Sequence, residues 1–188
     1  MPRWEPDARA RLAEAALHLF EEQGYDATTV EDIARRAGLT KRTFFRYFTD
    51  KREVLFGGVY PEGFVDEAVL SAPQSAGPLA AASRGLGALA SNIDGQGATA
   101  ARRIRIVRAS PELWERQLIK FTFLAEALVK ALRSRGVDEQ SAVLAAESGI
   151  IALRVATDRW IRGVEGASLR ELLEESVEEL RAIASSPS

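Results

Sequence analysis

The stretch from Thr28 to Leu55 constrains the fold more than any other part of the chain. Thr29 with Asp32 three residues later has the form of a capping box, which satisfies the first backbone donors of a helix beginning near Val30. Val30, Ile33, Ala34 and Ala37 recur at helical spacing and give that helix one apolar face. Gly38 supplies the positive φ that ends it, and Leu39 plugs the turn. Thr40 caps the next short helix, where Phe44, Tyr47 and Phe48 share one side. Lys41, Arg42, Thr43, Phe45 and Arg46 are left to the other faces. Two short helices joined by a tight glycine turn, the second led by cations, form the helix-turn-helix plan for entering a DNA major groove.

Charge is distributed to match. The chain as a whole carries −2, yet from residue 35 to 52 seven cations (Arg35, Arg36, Lys41, Arg42, Arg46, Lys51, Arg52) face only Asp50. From residue 165 to the end, six glutamates face Arg170 and Arg181. A basic patch with an acidic far end suits a protein that meets a polyanion at one end only. The competing readings are a merely solvated basic face, or a helical interaction module whose basic helix binds an acidic protein partner.

The register Thr29, Ile33, Ala34, Ala37, Gly38, Leu39, Thr40, Thr43, Phe44, Phe45, Tyr47, Phe48, Lys51 closely resembles the DNA-binding domain of TetR-family transcriptional regulators. The matching region runs from about Ala8 to Leu55, under a third of the chain. The resemblance implies an all-α homodimer. Three N-terminal helices would bind double-stranded operator DNA, and a larger C-terminal domain would dimerise and hold a small-molecule inducer. The expected division is residues 1–52 for the helix-turn-helix domain and 53–188 for the rest, about nine helices in all. Lys41, Arg42 and Thr43 form the first turn of the recognition helix, where cations pair with guanine and Thr43 meets a thymine methyl. Thr28, Thr29 and Thr40 lie at the helix starts; Thr28 and Thr29 can give a hydroxyl or backbone N–H to a phosphate. Phe45 and Tyr47 match two aromatic positions that flank the groove and the backbone in the family. Phe45 lacks the hydroxyl the family often has there, so a thymine-methyl or sugar contact replaces a phosphate contact. Arg46 adds a further cation, and Lys51 resembles the family's phosphate-binding lysine. Arg52 stands where the family commonly has an acid, adding a backbone contact. Phe44 and Phe48 are assigned to the core.

Other function classes are poorly served. With no cysteine and a single histidine, neither a disulfide framework, a thiolate site nor a multi-His metal site is available. His18 lies off the buried stripe of the first helix (Leu12, Ala16, Leu19, Phe20) and reads as a surface residue. No nucleophile–base pair or phosphate loop is present, so an enzyme is not expected, nor any cofactor or metal. The N-terminus lacks the apolar segment of a signal peptide and no run is long enough to span a membrane, so a cytoplasmic protein is expected.

Beyond Asp50 and Glu53, which start a fourth helix, Gly57, Gly58 and Pro61 suggest a kink near Tyr60, or a plain helix boundary. Gly77 and Pro78 open the next helix, and Ser110 and Pro111 a long one. Arg102, Arg103, Arg105 and Arg108 form either an anion-binding cluster or a solvated face. Large aromatics such as Trp114 and Phe121 either fill a core or line a cavity, and Arg103, Arg154 and Asp158 complete the candidate pocket. Arg154 and Asp158 alternatively pair with each other on the surface. Ala145, Gly149, Ala152 and Ala156 form a strip of small residues that admits a close helix. Leu169, Leu173, Val177 and Leu180 line the last helix. These two faces are the expected dimer interface, as a four-helix bundle with a second copy; the alternative is that both serve the internal core.

Overall fold

A computed structural model describes residues 8–56, 63–163 and 166–186, and among them there are ten α-helices and no strand. The all-α expectation holds. The expected kink near Tyr60 lies outside the described residues. The helix expected there is described as two pieces, which accounts for ten helices in place of about nine.

The chain forms two compact units. The first contains residues 1–59 and 102–115. Its helices are α1 (Ala8–Gln23), α2 (Val30–Arg36), α3 (Lys41–Tyr47) and α4 (Glu53–Phe56). It also takes residues 102–109 of α7 (Gly97–Ala109) and the first turn of α8 (Pro111–Ser134). Leu12, Ala16, Phe20, Ile33, Phe44 and Leu55 make its core, joined by Ile106, Val107 and Leu113. The apolar spacing of α1, α2 and α3 therefore converges on one point, closed by residues some fifty positions further along. Arg102 fastens this return: its guanidinium donates to Glu21 at 2.7 and 2.8 Å and to Glu14 at 2.8 Å.

The second unit contains residues 60–101 and 116–188. Its helices are α5 (Phe64–Leu70), α6 (Pro78–Asp94), the remainders of α7 and α8, α9 (Glu139–Ile161) and α10 (Leu169–Ser185). Leu86, Leu128, Leu132, Leu153, Leu169 and Leu172 are fully or almost fully buried in its core. Small residues let these helices approach closely. A Cβ on Gly85 of α6 would lie 2.7 Å from Val69 of α5, and one on Gly149 of α9 would lie 2.8 Å from Leu86 of α6. The Asp94 carboxylate ends α6 and accepts from the Leu169 and Arg170 amides at 2.7 and 3.1 Å, adding to the Ser168–Glu171 capping box of α10. Arg135 donates to the carbonyls of Ala72 and Pro73, both at 2.7 Å, and so holds the loop after α5. No helix among the described residues is long and apolar enough to cross a membrane.

This packing corrects the expected dimer interface. Ala145, Gly149, Ala152 and Ala156 are buried within the single chain, as are Leu169, Leu173 and Val177, while Leu180 is half-buried. The small strip of α9 receives its own α6, and the leucines of α10 fill the same core. What α9 leaves outside is a second apolar set: Leu144 is 62% exposed, Ile151 52% and Val155 46%, with Val143 beside them.

Candidate nucleic-acid interface

Local chemistry sets the two short helices of the first unit. The Thr29 hydroxyl accepts from the Asp32 amide at 3.1 Å, and the Asp32 carboxylate accepts from the Thr29 amide at 3.2 Å, which completes the expected capping box. Gly38 ends the turn at φ +67°, and the Leu39 amide returns to the Ala34 carbonyl at 2.8 Å. A Cβ at this position would also stand 3.0 Å from the Arg11 guanidinium, which donates to the Ala37 carbonyl at 2.5 Å. Thr40 then caps α3 by accepting from the Thr43 amide at 3.1 Å.

On α3, Phe44 is completely buried and packs against Phe48 in a tilted arrangement with centroids 5.3 Å apart, as expected for the core. Lys41, Arg42, Phe45, Arg46 and Tyr47 are exposed together, with Phe45 at 49% and Tyr47 at 39%. Phe45 is held edge-on to Phe44, with centroids 5.5 Å apart. Arg46 folds over Tyr47, 4.8 Å from the ring centroid, and donates to its hydroxyl at 3.0 Å. The exposed face is thus a ridge of two aromatics and three cations, the combination suited to groove edges and phosphates.

The basic patch is much weaker than the count of charges along the chain implies. Lys41 pairs with Glu31, Arg35 with Asp32, and Arg36 with Glu22. Arg52 pairs with Asp50 at 3.0 Å and Glu112 at 3.6 Å. The hydrogen bond from Lys41 holds the Glu31 carboxyl below its ordinary range, and that from Arg36 does the same to Glu22. Only Arg42 is left without a hydrogen bond or ion pair among the described residues of this patch. The neutralising acids Glu22, Glu31, Asp32 and Glu112 all fall outside residues 35–52, where a linear count does not see them.

Several of the expected phosphate donors are engaged internally. Thr28 is buried, and its hydroxyl donates to the Gly24 carbonyl at 2.8 Å. Its amide points to the Tyr25 carbonyl, so the expected phosphate contact from Thr28 is corrected to a structural role. Thr29 spends both its hydroxyl and its amide on Asp32. Lys51 is half-buried and gives two N–H donors to the carbonyls of Tyr25 and Thr28, at 2.6 and 2.9 Å.

The five expected pocket residues are divided between the two units. Arg103 and Trp114 belong to the first unit, whereas Phe121, Arg154 and Asp158 belong to the second. Trp114 packs against the first core beneath Arg108, whose guanidinium lies 3.9 Å from its ring centroid. Phe121 packs against the second core, and Arg154 is exposed. Burial pulls the Arg103 guanidinium below its ordinary value. Of the arginines of α7, Arg102 is clamped to α1, and Arg108 lies over Trp114. An open cleft of about 710 Å³ does lie between α8 and α9, floored by Ala125, Val129 and Val143. None of the five expected pocket residues lines it. Among the described residues no group of three or more His, Asp or Glu side chains is placed to hold a metal ion.

Comparison with known proteins bears on this geometry. Residues 12–56 match the family of bacterial regulatory proteins called the tetR family. The chain is 32% identical over 160 residues to the transcriptional regulator EthR of Mycolicibacterium smegmatis, covering 80% of this chain and 69% of that protein. It belongs to the TetR family. A second TetR-family relative, TcmR of Streptomyces glaucescens, is 36% identical over 141 residues; the match covers 69% of this chain but only 61% of TcmR. The fold of SmeT, the repressor of a Stenotrophomonas maltophilia multidrug efflux pump, superposes with a TM-score of 0.62 at 20% identity, over 95% of this chain and 90% of SmeT. SmeT has also been solved in complex with triclosan. In this TetR-family chain the matched segment 12–56 contains α2, the Gly38 turn and α3, so the family likeness and the exposed ridge coincide.

Proposed function

We propose that the protein is a sequence-specific DNA-binding transcriptional repressor that acts as a homodimer and is released from its operator by a small molecule. The observation that carries this reading is the ridge of Lys41, Arg42, Phe45, Arg46 and Tyr47 on α3, presented by a capped helix–glycine turn–helix. Arg42 and Thr43 in the first turn read base edges, Phe45 lies against thymine methyls or sugars, and Arg46 and Tyr47 reach the backbone. Lys41 exchanges Glu31 for DNA on binding. Two such helices, one per subunit, read successive major-groove faces of a palindrome. Internal pairing of most of the patch disfavours the alternative of a basic helix that binds an acidic protein, because little free positive charge is left for non-specific attraction.

The second copy docks on the outer face of α9, where Val143, Leu144, Ile151 and Val155 are all exposed. Such an apolar set on one helix is what an interface with a partner leaves uncovered in a single chain. The triclosan complex of SmeT supports a small-molecule signal, received in the helical second unit.

The test is fluorescence anisotropy of the purified protein on a duplex pool taken through rounds of selection, at two salt concentrations. A palindrome should be enriched, with affinity that falls steeply as salt rises. Binding without enrichment, or no binding, overturns the reading.

A further inference from the structure

We propose that Arg11 of α1 is a positioning residue for the reading helix: it caps the end of α2 and so holds the turn from which α3 departs. This rests on the regulator reading above. The guanidinium donates to the Ala37 carbonyl at 2.5 Å, across 26 positions of chain. Ala37 is the C-cap of α2, and the bond falls where a short helix runs out of partners of its own.

The turn closes on itself in part. The Gly38 amide returns to the Arg35 carbonyl at 3.0 Å and the Leu39 amide to the Ala34 carbonyl at 2.8 Å. The Ala37 carbonyl lies beyond these two bonds, at the end of the helix dipole that favours a cation. Both arginines that α2 carries in its last turn are committed to acids, Arg35 to Asp32 and Arg36 to Glu22. The cation at the carbonyl end comes from α1 instead. Leu12, Ala15 and Ala16 are buried in the next turn of α1, which fixes where the Arg11 stem begins. Its guanidinium lies close beside Gly38, where a Cβ would stand 3.0 Å from it.

The consequence for reading follows from how sparsely α3 is held. It has seven residues, and Phe44 is the one among them that is buried. A helix anchored at one point takes its direction from its two ends. At the far end, Phe48 packs on Phe44 and lies 5.6 Å from the Arg9 guanidinium, also of α1. At the near end stand the Thr40 cap and the Gly38 turn, and Arg11 ties that turn to α1. Arg42 and Thr43 follow the turn directly, so a slack turn moves them against base edges while the charges of the ridge stay on the surface.

The experiment compares Arg11→Met, which keeps much of the stem and removes the donor, with wild type on two probes. One is a palindromic duplex selected by the wild-type protein from a random pool, and the other a random-sequence duplex of equal length. Affinities are referred to the folded fraction measured by urea unfolding, so lost stability does not count. Positioning predicts that the preference for the palindrome over the random duplex falls about tenfold, the effect of losing one charge-assisted hydrogen bond. An arginine that serves only to meet a phosphate weakens both duplexes alike and lowers the salt slope by about 0.9. A preference unchanged in Arg11→Met, whatever happens to the absolute affinities, overturns the proposal.

A second measurement needs no variant. In ¹⁵N-arginine-labelled wild type without DNA, the Arg11 guanidinium should show hindered rotation, with nuclear Overhauser contacts to the Gly38 protons. A freely rotating guanidinium overturns the proposal. Wild type that selects no palindrome removes the regulator reading instead, and the guanidinium signal still reports whether Arg11 caps α2.

Discussion

In the first unit it is polar surface that is folded back on itself. Of the cations in the patch, Lys41, Arg35, Arg36 and Arg52 hold acids, Lys51 holds carbonyls, and Arg46 lies on Tyr47, which leaves Arg42 to project alone. In the second unit it is apolar surface that is left over. Its small residues are consumed by close internal packing at Gly85 and Gly149, while Leu144, Ile151 and Val155 face outward. The two units therefore advertise partners by opposite means. A reading head needs one or two unpaired groups against a neutralised background, because an excess of free charge binds any DNA equally. An association surface needs large side chains that the subunit's own core has no room for.

The sharpest way to break this contrast lies in the second unit. Leu144→Glu combined with Ile151→Glu should leave the fold intact and convert a dimer to a monomer by light scattering. Operator affinity should then drop on the order of a hundredfold, since two linked half-sites become one. Ala152→Leu should do the reverse. It overpacks a position that is 2% exposed, costs about 1–3 kcal/mol in urea unfolding, and leaves the association state of the folded fraction unchanged. If Ala152→Leu dissociated the protein without destabilising it, the small strip would be the interface after all.

That pair of variants also marks where sequence reading stops. The capping box at Thr29, the Gly38 turn, the cap at Thr40 and the buried Phe44 and Phe48 were all legible, because each is a local event decided within a few residues. On α9 the sequence carries two apolar stripes, Ala145–Gly149–Ala152–Ala156 and Leu144–Ile151–Val155. Periodicity finds both but does not say which one turns inward. The close approach of Leu86 to Gly149 decides it, and that is a contact between helices some sixty residues apart. The same limit applies to the basic patch, whose neutralising partners Glu22, Glu31 and Glu112 come from other elements. It applies again to residues 102–115, which join the first unit from beyond α6.

A middle-sized effect tests the head. Arg42→Ala should cost about 1–3 kcal/mol of discrimination between the selected palindrome and a variant altered at the contacted base pair. Arg35→Ala, which removes a cation already held by Asp32, should change the same discrimination by no more than about 0.5 kcal/mol. Competition anisotropy with the two duplexes measures both. Equal losses from the two variants would mean that the internal pairs open on DNA and that the patch acts as a sum of charges.

The smallest effect concerns the fastening of α7 to α1 and has a definite sign. The hydrogen bond from Arg102 lowers the Glu21 carboxyl below its ordinary value of 4.5, against the opposing effect of burial. A carboxylate lowered in the folded state binds fewer protons there than in the unfolded chain around that pH, so folding gains stability as pH rises through this range. The gain is complete above the unfolded value of 4.5 and is lost as pH falls through the lower folded value. Arg102→Met removes the cation and keeps most of the aliphatic stem. Near neutral pH its melting temperature should lie on the order of a few degrees below wild type, because the pair is partly exposed and screened. The difference should stay constant down to about pH 5 and then narrow as Glu21 is protonated in both proteins. Calorimetric melts of the two proteins across pH 3 to 7 measure this. A gap that kept its full size at the acidic end would show that Arg102 stabilises the first unit through the packing of its stem, with the bonds to Glu14 and Glu21 incidental.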